Sequence, residues 1–425
     1  MKLRQIAPYE FVALITDEAG KCMKLTLLVN SFLNLFESQG KEIEKIRELW
    51  KSKFAPGDLI RYNTFLDIFV EVYRLYQQQI KSEGAIDFHM MIKQAAKYIE
   101  NRRADYKYKY VIIDEYQDFA LDKLRLIKAI LGNSKSPSLF CVGDDWQSIY
   151  RFTGADVSLM LDFEKYWGCA KTLNLNHTFR YPQEILSVSS AFIQRSPKQI
   201  KKTLNSSAIA GHPCVHLVYH EEYKIETHTL RYILSRIQAA SDKQSASVLM
   251  LGRYHRSCPS DMLQLKIEFE PLSLQFLTIH TAKGLEADYV IILDNSNGNN
   301  GFPCNIMDDP ILETVLAGSM DFEYAEERRL FYVALTRARK EVFLAIPEKM
   351  ASTFVKELDS KDYMVDKEYP NSTNGTSDCS RTCPECGSGT LVQRSKGKSV
   401  FLGCTNYPYC GYMERINQLG NIASS

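Results

Sequence analysis

Two stretches decide the fold, YVIIDEYQD at 110–118 and SLFCVGDDWQSIYRFTGAD at 138–156. Each opens on a short apolar run of strand length and then stops at adjacent carboxylates. Between them LDKLRLIKAIL (121–131) has the three-and-four spacing of a helix. The same rhythm continues through PQEILSVSSAFI, VHLVYH, IETHTLRYILSRIQAA, SVLMLG, YVIIL (289–293) and KEVFLAI (340–346). Strands alternating with helices predict an α/β architecture with parallel sheets, whose functional residues sit at the carboxyl ends of the strands. YVIID (110–114) is expected to be a buried strand of such a sheet, and SLFCVGD (138–144) another strand.

The chemistry of those strand ends is specific. Nucleotide hydrolysis needs one acid to hold Mg²⁺ and another to activate water, and Asp114 and Glu115 offer both at one edge. On the next strand Gly143-Asp144-Asp145 leads to Gln147, an uncharged amide able to report on a γ-phosphate by hydrogen bonding. Upstream, residues 1–83 read as helical. In YNTFLDIFVEVYRLYQQQI the residues Phe65, Ile68, Phe69, Val72, Leu75 and Tyr76 fall on one face.

In order along the chain, IDFHMMI (86–92), DEYQD, VGDDWQSIYRFTGAD, LNHTFRYP (175–182), TIHTAKGLEADYVII (278–292) and EERRLFYVALTRARKEVFL (326–344) resemble the motifs of UvrD/Rep-type superfamily 1 DNA helicases. The DDWQ form points to the helicase IV branch. The resemblance implies RecA-like P-loop NTPase lobes and an ATP-dependent 3′→5′ helicase or translocase acting on single-stranded and partly duplex DNA. It further implies that Asp114 binds Mg²⁺, Glu115 is the general base, Gln147 contacts the γ-phosphate, and Arg180 and Arg337 reach that phosphate from the second lobe. Guanidinium suits the last role because it stays charged and binds phosphate bidentately. Phe179 is expected on adenine and Glu286 on ribose. Tyr150 and Phe152 are expected to stack on bases, with core packing the competing reading for Phe152. Thr278, His280 and Lys283 are expected between the DNA backbone and the ATP site. Thr153 stands where many relatives carry arginine, which puts one family salt bridge in question. Fewer than 100 residues separate Arg180 from Thr278, too few for the large subdomain that UvrD and Rep insert there.

The expected organisation is a helical segment (1–85), the remainder of a first lobe (86–180), a second lobe (181–365), a linker (366–380) and a zinc ribbon (381–415). In the ribbon, Cys383 and Cys386 precede Cys404 and Cys410 by a hairpin length, which suits a structural Cys₄ zinc site. GCTNYPYCGY is similar to the zinc ribbons of topoisomerase I C-termini. Arg394, Lys396 and Lys398 beside Phe401, Tyr407, Tyr409 and Tyr412 suit single-stranded DNA, while a purely structural knob is the alternative.

Other features bound the reading. The net charge of +1 gives no global attraction to nucleic acid, so local patches must supply it. No apolar run approaches the roughly 20 residues of a membrane span. Of eleven cysteines, the six outside the C-terminal cluster and its spare thiol Cys379 follow no pattern, which predicts reduced thiols in a cytoplasmic protein. No GxxxxGK[ST] occurs. Gly20-Lys21 has Ile15 in place of the first glycine, Gly40-Lys41 continues to Glu42, and Gly397-Lys398-Ser399 has Val392 and lies in the ribbon. The chain is therefore expected to correspond to the C-terminal portion of such a helicase, with the P-loop segment as a possible separate partner. A non-hydrolysing DNA-binding remnant is the alternative.

Overall fold

A computed structural model describes residues 25–102, 107–197, 199–220, 227–241, 244–299, 301–306, 308–316, 322–370, 383–386, 391–396, 399–404 and 410–415. The chain divides into two compact units, 1–370 and 371–425. Among the described residues no helix is long and apolar enough to cross a membrane.

The first unit begins with three helices, α1 (Leu25–Ser38), α2 (Ile43–Lys53) and α3 (Pro56–Glu83). Proline at its first position starts α3, and Gly84 at φ 61° ends it, a left-handed conformation that costs glycine little. Of the face expected on α3, Phe65 and Phe69 are buried, but Val72 and Leu75 are exposed. The buried stripe instead runs through Tyr62, Phe65, Leu66 and Phe69, because Phe32 of α1 packs edge-on against Phe65 and Phe69 at 5.0 and 4.7 Å. Ile311, Leu312, Val315 and Leu316, far away in sequence, complete this core, and Arg61 binds Asp309 at 2.6 Å beside them.

Asp87 caps α4 (Phe88–Glu100) by accepting from Met90 N at 2.6 Å. Then β1 (Tyr110–Ile113) and β2 (Ser138–Cys141) pair in parallel, with α5 (Leu121–Gly132) between them. The adjacency of the two carboxylate-ended strands is as expected. The burial expected of β1 is not: Ile112 is 72% exposed, and Phe140 of β2 is 58% exposed. Only two strands pair here among the described residues, so one face of each stays open.

After the short parallel pair β3 (His177–Thr178) and β4 (Asn205–Ser206), six strands form a wholly parallel sheet. These are β5 (Val215–His220), β6 (Ser247–Gly252), β7 (Ser273–Thr278), β8 (Ala287–Ile292), β9 (Ala338–Pro347) and β10 (Asp366–Glu368), in spatial order β10-β5-β9-β8-β6-β7. Alternate residues serve opposite cores. Leu217, Leu251, Ile292 and Leu344 face one, built with α6 (Gln183–Ile193), while Val218, Met250, Ile291 and Phe343 face the other, built with α7 (Thr227–Ala240). Helices on both faces explain why these strands read as continuous apolar runs. β7 and β10 escaped the sequence reading, β7 because polar Ser273 and Gln275 interrupt it.

β10 occupies the first three residues of the stretch read as linker. His216 holds it to the sheet: Nδ1 lies 3.3 Å from Asp366 and 3.0 Å from Glu368, and Nε2 lies 3.3 Å from Glu341. Burial alone would lower the His216 pKa, but the hydrogen bonds with Asp366 and Glu341 outweigh it and raise it. Arg236 binds Glu368 as well and gives the cluster a cation of its own.

Phe192 of α6 is fully buried and packs against Phe331 and Phe354 at 5.2 and 5.1 Å. Phe192→Ala is expected to lower stability by about 3–5 kcal/mol. A urea titration should show a reduced midpoint at unchanged slope; an unchanged midpoint would place this ring outside the cooperative core.

Candidate functional site

At the carboxyl end of β1, Asp114 and Glu115 are both exposed. Glu115 sits at φ 52°, unusual for a residue with a side chain, and Asp114 Oδ1 accepts from its amide at 2.8 Å. Gln117, buried behind them, donates to Glu115 Oε2 at 2.5 Å and accepts from Asp144 N at 2.9 Å. One amide thus ties the two strand ends together. Gly143 leaves the necessary room, since a Cβ there would come within 2.6 Å of Gln117 Oε1.

Beyond β2 the chain turns into the second sheet's surroundings. Asp144 Oδ2 accepts from Gln147 Nε2 at 2.7 Å, and Gln147 Oε1 accepts from Arg337 Nη2 at 3.3 Å. Arg337 is 1% exposed and also donates to Val333 O and Leu285 O. Burial, with Arg180 nearby, pushes its pKa down to about 10, which leaves it charged at neutral pH. Arg180 binds Glu286 at 2.9 Å, and Arg339 binds the same carboxylate at 2.5 Å. The hydrogen bond from Arg339, then that from Arg180, hold Glu286 below its usual pKa. Phe179 projects outward at 81% exposure.

Lys283 occupies the centre. Its amine lies 2.5 Å from Asp118, 2.9 Å from Gln147 O and 3.6 Å from Glu115, and 5.1 Å from the Tyr150 ring centre. Tyr150 donates to His280 O at 2.9 Å, and the Tyr150, Phe152 and His280 rings form one cluster. Burial, aided by Arg253, pushes His280 down to about 4, so its ring is neutral at physiological pH. Phe152 is 54% exposed, which removes it from the core. Thr278 is buried and shares a hydrogen bond with Thr281 at 2.8 Å. Thr153 Oγ1 bonds back to Tyr150 O, and it is Arg151 that makes an ion pair here, with Glu313 at 3.1 Å.

In the second unit β11 (Leu391–Lys396), β12 (Ser399–Cys404) and β13 (Met413–Arg415) form an antiparallel sheet. Cys383 Sγ lies 3.7 Å from Cys410 Sγ, and Cys386 Sγ 3.6 Å from Cys404 Sγ. A disulfide needs about 2 Å. Tetrahedral Zn²⁺, with bonds of about 2.3 Å, sets sulfurs about 3.8 Å apart, so the four thiols fit that ion. Tyr412 packs against this cysteine core. Lys398, Tyr407, Tyr409 and Cys379, and the side chains of Arg394 and Lys396, lie outside the described residues.

Residues 15–167 match the UvrD/REP helicase N-terminal domain, 259–349 the UvrD-like helicase C-terminal domain, and 380–418 the topoisomerase DNA-binding C4 zinc finger. The chain carries N- and C-terminal domains of the UvrD/REP helicase type. It is 33% identical to DNA helicase IV of Escherichia coli K12 over 322 residues, covering 76% of this chain and 44% of that protein. It is 27% identical to the putative ATP-dependent DNA helicase YjcD of Bacillus subtilis, covering 47% and 27%. To a probable DNA helicase of Mycoplasma pneumoniae it is 23% identical, covering 74% and 63%. The chain thus spans less than two thirds of the length of each of these relatives.

Within this UvrD/REP chain the structure brings Glu115, Gln147, Lys283 and Arg337 together, groups Tyr150, Phe152 and His280, and pairs Arg180 with Glu286. Gln117, Asp118 and Lys202 were given no role from sequence, and Asp144 was noted only as a strand-end carboxylate. Gln117, Asp118 and Asp144 lie inside the quoted motifs, but Lys202 carries no local signal.

Phe152→Ala is expected to weaken single-strand binding by about 1–3 kcal/mol while leaving the melting temperature nearly unchanged. Anisotropy of a labelled oligonucleotide beside a thermal melt checks this; loss of stability with affinity retained would refute the stacking role. The ribbon is expected to bind one Zn²⁺ per chain and to lose it in Cys404→Ser. Native mass spectrometry reads the ion directly, and a folded ribbon without metal would contradict the assignment.

Proposed function

We propose that this chain carries the catalytic edge and the DNA-facing surface of an ATP-driven 3′→5′ DNA helicase or translocase working in the cytoplasm. The observation that carries the reading is the meeting at Gln147. Asp144 at the end of the first sheet binds the Gln147 amide nitrogen, buried Arg337 at the start of a strand of the second sheet binds the amide oxygen, and Lys283 joins the Gln147 carbonyl to Glu115. A γ-phosphate bound between the sheets would engage Gln147 and Arg337 together, so its loss on hydrolysis would alter how the sheets are held.

In this reading Asp114 holds Mg²⁺, and its exposed carboxylate at a strand end suits a hard cation. The ion, when bound, neutralises phosphate charge. Glu115 accepts a proton from the attacking water, with Gln117 fixing its orientation. Arg180 reaches the phosphate by leaving or sharing Glu286, so ribose contact at Glu286 and arginine movement are linked. Phe179 offers an open ring to adenine. Tyr150 and Phe152 stack on bases, and Thr278, His280 and Lys283 serve between the DNA backbone and the ATP site, His280 as part of the aromatic cluster and Lys283 within reach of both Tyr150 and Glu115. The half-buried thiol of Cys141 and the buried thiol of Cys214, both pushed up to about 12 mainly by burial, suit a reducing compartment.

None of the 425 residues forms GxxxxGK[ST], so the amide nest and lysine that neutralise the phosphates have to come from another segment. The open apolar faces of β1 and β2 support such an addition, because parallel strands are normally covered on both sides.

The isolated chain is therefore expected to release no phosphate above background with ATP, Mg²⁺ and single-stranded DNA. Supplying a P-loop-bearing segment, fused or separate, should bring DNA-stimulated release that Glu115→Gln abolishes. Release by the chain alone, lost in Glu115→Gln, would show that these residues suffice without a P-loop.

A further inference from the structure

Lys202 lies in the loop between α6 and β4, outside every motif recognised in the sequence. Its amine is 2.5 Å from Asp144 Oδ1 and 2.5 Å from Asp145 Oδ1, and 4.8 Å from the Trp146 ring centre. Asp145 is fully buried and the Lys202 side chain is only 16% exposed. The same loop grips the neighbouring backbone: Ile200 N donates to Asp145 Oδ2 at 2.9 Å, and Trp146 Nε1 donates to Ile200 O at 3.0 Å.

The two adjacent aspartates share Lys202 as a cation; burial raises the pKa of Asp145 and Lys202 opposes that rise. Burial opposes the charge on Lys202, but Asp144 and Asp145 outweigh it and raise its pKa. The consequence reaches the sensor. Ionised Asp144 is an acceptor only, so the group of Gln147 that it binds must be the NH₂. That leaves Gln147 Oε1 turned toward Arg337. Without Lys202 the Asp144 carboxylate would lose the contact that fixes Oδ1, and Oδ2 would be free to turn away from the Gln147 amide.

We propose that Lys202 is a positioning residue for the nucleotide sensor, holding the Asp144 carboxylate in place and thereby fixing the polarity of the Gln147 amide. The proposal rests on the reading that Gln147 meets the γ-phosphate, but the hold itself can be measured with no nucleotide present.

The test uses the full chain, deuterated and labelled with side-chain ¹⁵N-glutamine, with the Gln147 NH₂ pair identified by its loss in Gln147→Asn. Lys202→Met should move that pair toward the envelope of exposed glutamines, and Lys202→Arg should keep it in place. Should the buried carboxylate left in Lys202→Met prevent folding, Lys202→Met with Asp145→Asn removes that charge and asks the same question of Gln147. A Gln147 pair that stays put in the folded neutral variant, with only the melting temperature reduced, would overturn the proposal. Lys202 would then merely fasten its loop. Because no ATP enters the measurement, its outcome is separate from that of the proposed function, which fails instead if a chain completed with a P-loop-bearing segment releases no phosphate.

Discussion

The structure depends on one short segment that leaves the first sheet and buries itself against the second. Trp146 and Ile149 are fully buried, Trp146 with Ile193 and Tyr332, and Ile149 within the large core shared by β5, β6, β8 and β9. Burying side chains of that size contributes about 1.5–3 kcal/mol each. Both residues lie within five positions of Asp144, so the anchor and the polar cluster are one rigid piece. The polar cluster cannot move with the first sheet alone, because its own side chains form part of the second sheet's core.

Buried arginines reinforce that junction. Arg329 is almost wholly buried and donates to Ser148 O at 2.6 Å; burial lowers its pKa. Arg151 reaches from the same segment to Glu313, next to the residues that complete the N-terminal helical core. Arg328 binds Glu357 at 2.8 Å and lies over the Phe192 ring. A charge this deep is tolerated only where carbonyls and carboxylates surround it, so these contacts specify one geometry more than they add stability. The segment 145–151 is thereby tied to three bodies: the first sheet, the second sheet and the helical bundle.

How much of this was legible in the sequence follows from the range of each interaction. The strands of the six-stranded sheet were readable because burial on both faces leaves an unbroken apolar run. The carboxylates and Gln147 were readable because their chemistry demands particular residue types at strand ends. Ile112 misled, since apolarity reports what a residue can bury and not what covers it. Val72 and Leu75 misled similarly: a helical period gives a face but not its partner. β10 was hidden among linker residues because its hold is ionic, through His216 and three carboxylates brought together from distant positions. Lys202 was invisible for the same reason, as its aspartates lie 57 and 58 residues away.

The same long-range logic bears on coupling between the two surfaces of the site. Lys283 supplies one positive charge that Asp118, Glu115 and the face of Tyr150 all share. Burial raises the pKa of Asp118 and Lys283 opposes that rise, so the carboxylate depends on this amine for its charge. A lysine side chain has one position at a time. An event that shifts the amine therefore alters its contacts with Glu115, Asp118 and Tyr150 together. Coupling of this kind needs no large movement. It needs only that the competing partners lie within one side chain's reach, and the distances of 2.5 to 5.1 Å around Lys283 meet that condition.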